Sequence, residues 1–201
     1  MKKTILIIIL AVVIIGGIIG VEVYLAKTRK GSVALAPESA GQESQGRTRT
    51  VAKDDFSLQA PKEWLEAAAP VGVSLMLVNS NEQTTNSAAK RINFRSYLSI
   101  GYDALVDNTK EQYLEILKDN LRQSIPGVVF TNETALSIDG RQTDVLELEI
   151  FQQGVDFKVL MFVVSGEGKD VWVISFNTLK ESWDIYKDLF YQIAGSFKVK
   201  S

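Results

Sequence analysis

Hydrophobic and polar positions change rhythm several times along this chain. Ile5 to Val21 is an unbroken apolar run of 17 residues that includes Gly16, Gly17 and Gly20. Glu22 interrupts it, and Val23 to Ala26 extend it to 22 residues. Roughly 20 apolar residues span a bilayer as a helix. A soluble helix is rarely apolar on every face. The pattern predicts a membrane-spanning helix over residues 4–26, flanked by Lys2 and Lys3 before it and Lys27, Arg29 and Lys30 after it. A cleaved signal peptide ending at Ala34-Leu35-Ala36 is the rival reading. Its core would exceed the ~7–15 residues usual there, so the anchor is preferred. Residues 31–54 carry Gly, Ser, Ala, Gln and charge without hydrophobic period, and read as a flexible linker.

From residue 55 the rhythm is that of a folded domain. Phe56 to Ala60 alternates until Pro61, which predicts a short strand and a turn reaching Trp64. Val71 to Val78 predicts a second strand, Asn79 to Ala89 a polar turn region, and Ile92 to Tyr102 a longer strand with a change of phase near Ser96. Thr109-Lys110-Glu111-Gln112 then has capping-box spacing, in which hydroxyl and carboxamide each satisfy an orphan amide. Tyr113, Leu114, Leu117, Leu121 and Ile125 make one apolar stripe at helical spacing, ended by Pro126-Gly127.

Strands are predicted over Val128 to Ile138, Gln142 to Gln152, Val155 to Val164 and Val171 to Phe176. Asp139-Gly140 between alternating segments is a strong hairpin signal. Thr178 and Glu181 repeat the capping-box spacing, and Trp183, Tyr186, Phe190 and Ile193 form the stripe of a closing helix. Ser196 to Val199 reads as a short terminal strand. Hairpin-length connections exclude a parallel doubly wound sheet. The fold class is α+β: one antiparallel sheet flanked by helices over 55–201, an N-terminal helix over 1–30, and a linker over 31–54.

Composition narrows the chemistry. The 201 residues contain no cysteine and no histidine. Disulfides, Cys/His zinc sites, Ser-His-Asp triads and cysteine nucleophiles are therefore excluded. Residues 1–54 hold 8 Lys and Arg against 4 Asp and Glu, whereas 55–201 hold 14 against 20. An acidic domain lacks the electrostatic footprint of nucleic-acid binding, so no nucleic-acid partner is expected.

Local candidates are few. Asp54-Asp55 and the group Asp144, Glu147 and Glu149 are the acidic clusters. Glu147 and Glu149 share one strand face, roughly 6.6 Å apart. Two carboxylates are too few for a calcium site, which wants about six or more oxygens, so a solvated strand face is expected. Gly166-Glu167-Gly168 lacks the Lys-Ser/Thr and helix of a phosphate loop and reads as a turn. The Trp183, Tyr186 and Phe190 stripe reads as core packing, with a ligand pocket as the alternative. Trp64 is expected to plug one edge of the core. Asn132-Glu133-Thr134 is set aside as a glycosylation acceptor. No catalytic, cofactor-binding or metal residues are assigned.

Several signatures fall in order. Phe56-Ser57-Leu58-Gln59-Ala60-Pro61-Lys62-Glu63-Trp64, the inserted helix, the Ile138-Asp139-Gly140-Arg141 turn, Val171 to Phe176, Trp183, and Gly195-Ser196-Phe197-Lys198-Val199 together resemble the PsbP-like family. The resemblance covers about residues 55–200 and implies an α-β-α sandwich. Photosynthetic members of that family are lumenal extrinsic subunits supporting photosystem II through protein contact, with an influence on calcium and chloride retention. A Ran-binding family shares the fold. Many bacterial relatives are anchored or lipidated extracytoplasmic proteins. This chain departs from the plant pattern in having no histidine, so histidine metal contacts do not carry over.

The expected function is that of a membrane-tethered, non-catalytic accessory module with a protein partner in an envelope complex. The expected location is the cell membrane, single-pass, with the C-terminal domain extracytoplasmic. A small-molecule or lipid-binding domain with a pocket between sheet and helices is the alternative. A hydrolase built on Ser, Lys or carboxylates alone is the third reading.

Overall fold

The structure, a computed structural model, describes residues 48–200. The anchor expected over 1–30 lies outside the described residues, as does most of the linker. No helix among the described residues is long and apolar enough to cross a membrane.

Ten strands and three α-helices follow in order. They are β1 (Thr48–Ala52), β2 (Phe56–Pro61), β3 (Trp64–Glu66), β4 (Val73–Asn79), α1 (Ser87–Arg91), β5 (Tyr97–Ala104) and α2 (Lys110–Ser124). After these come β6 (Val129–Ile138), β7 (Arg141–Gln152), β8 (Val155–Ser165), β9 (Asp170–Leu179), α3 (Trp183–Gly195) and β10 (Lys198–Val199). Seven strands form one sheet in the order β3-β4-β5-β9-β8-β7-β6, and every pairing in it is antiparallel. A second sheet has the order β1-β2-β10.

Local chemistry explains the best-defined elements. Thr109 Oγ1 accepts from the Gln112 amide at 3.3 Å, and the Thr109 amide donates to Gln112 Oε1 at 2.8 Å, so the capping box of α2 is closed. At the β6–β7 turn Asp139 and Gly140 both have positive φ, 52° and 72°. That is the primed turn whose twist matches paired strands.

The two faces of the large sheet carry separate cores, because side chains alternate along each strand. On one face Tyr113, Leu117 and Leu121 of α2 pack on Leu146, Leu148, Met161 and Val163. On the other, Phe190 and Ile193 of α3 and Val51, Phe56 and Leu58 of the small sheet pack on Leu75, Leu98, Phe162 and Phe176. Both spaces between sheet and helices are thus occupied by side chains, where a ligand-binding reading needs a pocket.

Four sequence expectations need correction. Thr48–Ala52, placed in the linker, pairs with Ser57 to Pro61 as β1. β5 begins at Tyr97, not Ile92. Asn86 Oδ1 accepts from the Ala88 and Ala89 amides at 3.1 and 3.0 Å, which starts α1 in the region read as a turn. Asn93 then takes a positive φ of 51°, and Ile92 and Phe94 pack against the core under α2. Thr178 and Glu181 make no cap, since Thr178 is still in β9, opposite Lys158. A short 3-10 turn, Lys180–Ser182, delays α3 to Trp183.

Candidate functional site

Helix α3 lies on the sheet with a different environment on each flank. Phe190 anchors it: the ring is buried, stacks on Phe176 at 4.8 Å and on Tyr186 at 5.6 Å, and meets Trp64 edge-on at 6.1 Å. Trp64 is itself buried, as expected of a core plug. The Trp183, Tyr186 and Phe190 stripe packs on the core, but its outer members serve different flanks.

On the first flank the register sets Glu149 opposite Lys158 and Glu147 two pairs along, on the same face. The Lys158 ammonium lies 3.4 Å from Glu147 and 3.6 Å from Glu149. It also donates to Thr131 Oγ1 at 2.6 Å and sits 5.4 Å from the centre of the Trp183 ring. Lys187 reaches Glu147 at 3.8 Å, and Lys180 reaches Glu149 at 2.6 Å. Each carboxylate therefore faces two ammonium groups. The hydrogen bond from Lys180, with the charge of Lys158, holds the Glu149 carboxyl below its usual range. The expected solvated strand face is overturned for Glu147, which is 6% exposed. Its burial is tolerated because it is paired on both sides.

The second flank is an open cleft of about 560 Å³ between α3, the end of β3 and the loop after β4. Glu63, Asn79, Glu82, Ser182, Ile185 and Tyr186 are among its lining residues. Asn79, mostly buried at the end of β4, donates from Nδ2 to the Tyr186 hydroxyl at 2.9 Å. Glu82 accepts from the Ser96 amide and, at 2.8 Å, from the Ser96 hydroxyl. With the Ser96 proton committed to Glu82, the 2.8 Å contact between Ser96 and Thr178 has Thr178 as donor. Burial, with the charge of Glu82 beside it, pushes the Tyr186 hydroxyl up to about 12. Ile185 stands at the cleft with 75% of its surface exposed. Among the described residues neither Glu63 nor Glu82 has an ion-pair partner, and the same is true of Asp184 and Asp188 on the outer face of α3.

The other sequence candidates do not converge here. Asp144 is separated from Glu147 and Glu149, since it lies 2.6 Å from Lys110 of α2 on the opposite side of the sheet. Asp54 and Asp55 occupy the β1–β2 turn and are exposed. Gly166-Glu167-Gly168 is the β8–β9 turn, closed by the Gly166 amide on the Asp170 carbonyl at 2.7 Å. Asn132-Glu133-Thr134 does satisfy the N-x-T acceptor pattern by its letters, which corrects the sequence reading. It lies within β6 rather than in a loop. Of the cleft residues the sequence singles out Tyr186, through its stripe; Asn79, Glu82, Ser182 and Ile185 form no motif with it. The one available signal was Ile185, an apolar residue out of step with the stripe.

The fold so assembled, an antiparallel sheet with helices on its two faces, resembles PsbP-like folds. Among solved structures it is similar to cyanobacterial PsbP (CyanoP) from Synechocystis sp. PCC 6803. That match has a TM-score of 0.56 and 18% identity, over 81% of this chain and 98% of that one. LpqN of Mycobacterium tuberculosis, described as involved in cell envelope biogenesis, matches with a TM-score of 0.56 and 14% identity, over 77% and 91% of the chains. The Saccharomyces cerevisiae Ran-binding protein Mog1p matches with a TM-score of 0.51 and 14% identity, over 76% and 95%. No family model matches the chain. No curated protein matches it in sequence.

Proposed function

We propose that this protein is a membrane-tethered, non-catalytic interaction module serving an extracytoplasmic complex. The observation that carries the reading is the open flank of α3. There an exposed isoleucine stands over a polar cleft on an otherwise well-packed domain. Isolated exposed apolar residues are ordinary. Ile185 differs in lining a cleft whose inner polar groups are already hydrogen-bonded to one another, a surface suited to contact. The fold is shared with a protein described as Ran-binding and with one described as involved in cell envelope biogenesis. The apolar N-terminal run and its basic flanks support a tether, and the preferred orientation puts the short N-terminus inside.

The test is purification of the full chain, tagged at its C-terminus, from solubilised membranes, with quantitative identification of co-purifying proteins. A membrane or envelope protein recovered reproducibly above a tag-only control is the expected result. Repeated recovery of none overturns the reading. Protease added to intact cells is expected to cleave the domain from a full-length membrane-bound chain. Protection until lysis would place the domain inside and remove the extracytoplasmic part of the proposal.

A further inference from the structure

The cleft beside α3 has chemistry that selects among partners. Ile185 lines it at 75% exposure, while Trp183, Tyr186, Leu189, Phe190 and Ile193 of the same helix are buried or half-buried against the core. An apolar side chain laid on Ile185 would leave water together with it, which is the general source of docking energy. Carboxylates predominate around that contact. Glu63 and Glu82 line the cleft, Asp184 precedes Ile185, and Asp188 follows Asp184 by four residues on the helix.

Carboxylates outnumber cationic groups around the cleft. None of these four carboxylates has an ion pair among the described residues, whereas Glu147 and Glu149 on the other flank have two lysines each. Arg95, near the loop end of the cleft, keeps its positive charge but is held to the Ser80 carbonyl and forms no ion pair with these carboxylates. Lys62 adjoins Glu63 in sequence and is itself engaged. A bare divalent cation is a poor occupant. No group of three or more acidic side chains among the described residues is placed to hold a metal, and both Glu82 oxygens already accept from Ser96. An acidic segment would be repelled, and a neutral apolar one would leave the carboxylates unanswered. Long side chains ending in ammonium or guanidinium groups can reach the spaced carboxylates from either side of an apolar contact.

We infer that the cleft formed by Glu63, Asn79, Glu82, Ile185 and Tyr186 docks a basic polypeptide segment of a partner protein, in which an apolar side chain lies on Ile185 between lysines or arginines. The inference rests on the interaction-module reading and specifies the partner of that site. Charge complementarity of this kind sets choice of partner and association rate more than raw affinity, so binding weakens with salt.

The test uses the full chain in phosphatidylcholine nanodiscs, with empty discs as the blank, and reads fluorescence anisotropy of labelled peptides. The probes are an alternating lysine–leucine peptide, its glutamate–leucine analogue and a lysine–glycine peptide. The lysine–leucine peptide is expected to bind saturably, and the other two weakly or not at all. Ile185→Ser and the double variant D184N/D188N are each expected to weaken binding about tenfold, just short of an interface hot spot. Asp139→Asn, at the distant β6–β7 turn, is expected to leave it unchanged. These positions are exposed, and unchanged circular dichroism would confirm that the variants fold. Binding that survives the site variants, or falls equally with D139N, overturns the inference, as does no binding above empty discs. The two proposals fail separately. A co-purified envelope partner retained by Ile185→Ser keeps the module and removes this site. Site-specific binding of the basic peptide without any envelope partner keeps the site and removes the module.

Discussion

The two flanks of α3 use the same residue types to opposite ends. On the β7–β8 flank, carboxylates and ammonium groups are brought together under an indole and answer one another. On the β4 flank, carboxylates lie around an exposed isoleucine and none of them has an ion pair among the described residues, although Glu82 accepts from Ser96. A closed ionic cluster gains fixed geometry, at the cost of desolvating its charges. An open one keeps its charges hydrated and available. The difference teaches that the helix is fastened on one side and presented on the other.

The largest expected effect breaks both flanks at once. Phe190→Ala empties the space between Phe176, Tyr186 and Trp64, and should cost about 4 kcal/mol in urea unfolding. A much smaller cost would mean that the two flanks do not share one anchor. Next is Lys158→Met, which leaves the buried Glu147 with Lys187 as its remaining ion-pair partner and Asn132 as a long hydrogen-bond donor. A loss of about 3 kcal/mol is expected, with most of it recovered in the double variant E147L/K158M. Equal cost in single and double variants would show that packing, and not charge, distinguishes the closed flank.

Smaller changes sharpen the open flank. Asn79→Ala removes the donor to Tyr186 and the acceptor of the Asn81 amide. A loss of about 1.5 kcal/mol is expected by chemical denaturation. Tyr186→Phe tests the raised hydroxyl. Its folded pKa of about 12 lies above the ordinary value of 10, so the folded state holds that proton more tightly. The stabilisation is complete below pH 10 and is lost as pH rises toward 12. Wild-type stability should therefore fall more steeply than that of Y186F across this window. Parallel curves would remove Tyr186 from the linkage.

How much of this was legible depends on how local the cause is. Helix α2 was readable because Thr109, Gln112, the leucine stripe and Pro126-Gly127 all act within one segment. The β6–β7 hairpin was readable because Asp139-Gly140 specifies its own turn. β1 was not, since Thr48–Ala52 has a single buried apolar residue, Val51, and becomes a strand by pairing with β2. Extension of β9 past Phe176 likewise depends on β8 and on Ser96, far away in sequence. The burial of Glu147 was hidden for a similar reason: its lysines come from β8 and α3. The cleft brings Glu63, Asn79 and Glu82 against Ser182, Ile185 and Tyr186, about a hundred residues later. No spacing rule connects them.

The placement of β1 has a mechanical consequence. It is an edge strand of the small sheet, held by its register with β2, by the one buried side chain of Val51, and by Arg49, which donates to the Trp64 carbonyl of β3 at 3.0 Å. Any pull arriving from residues before Thr48 therefore loads β1 first, and reaches the seven-stranded sheet only through the contacts of Arg49 and Val51. Peeling it away frees five residues of extended chain, roughly 17 Å of added reach, while β10 remains paired to β2. The strand is then a weak link that yields before the rest of the domain does.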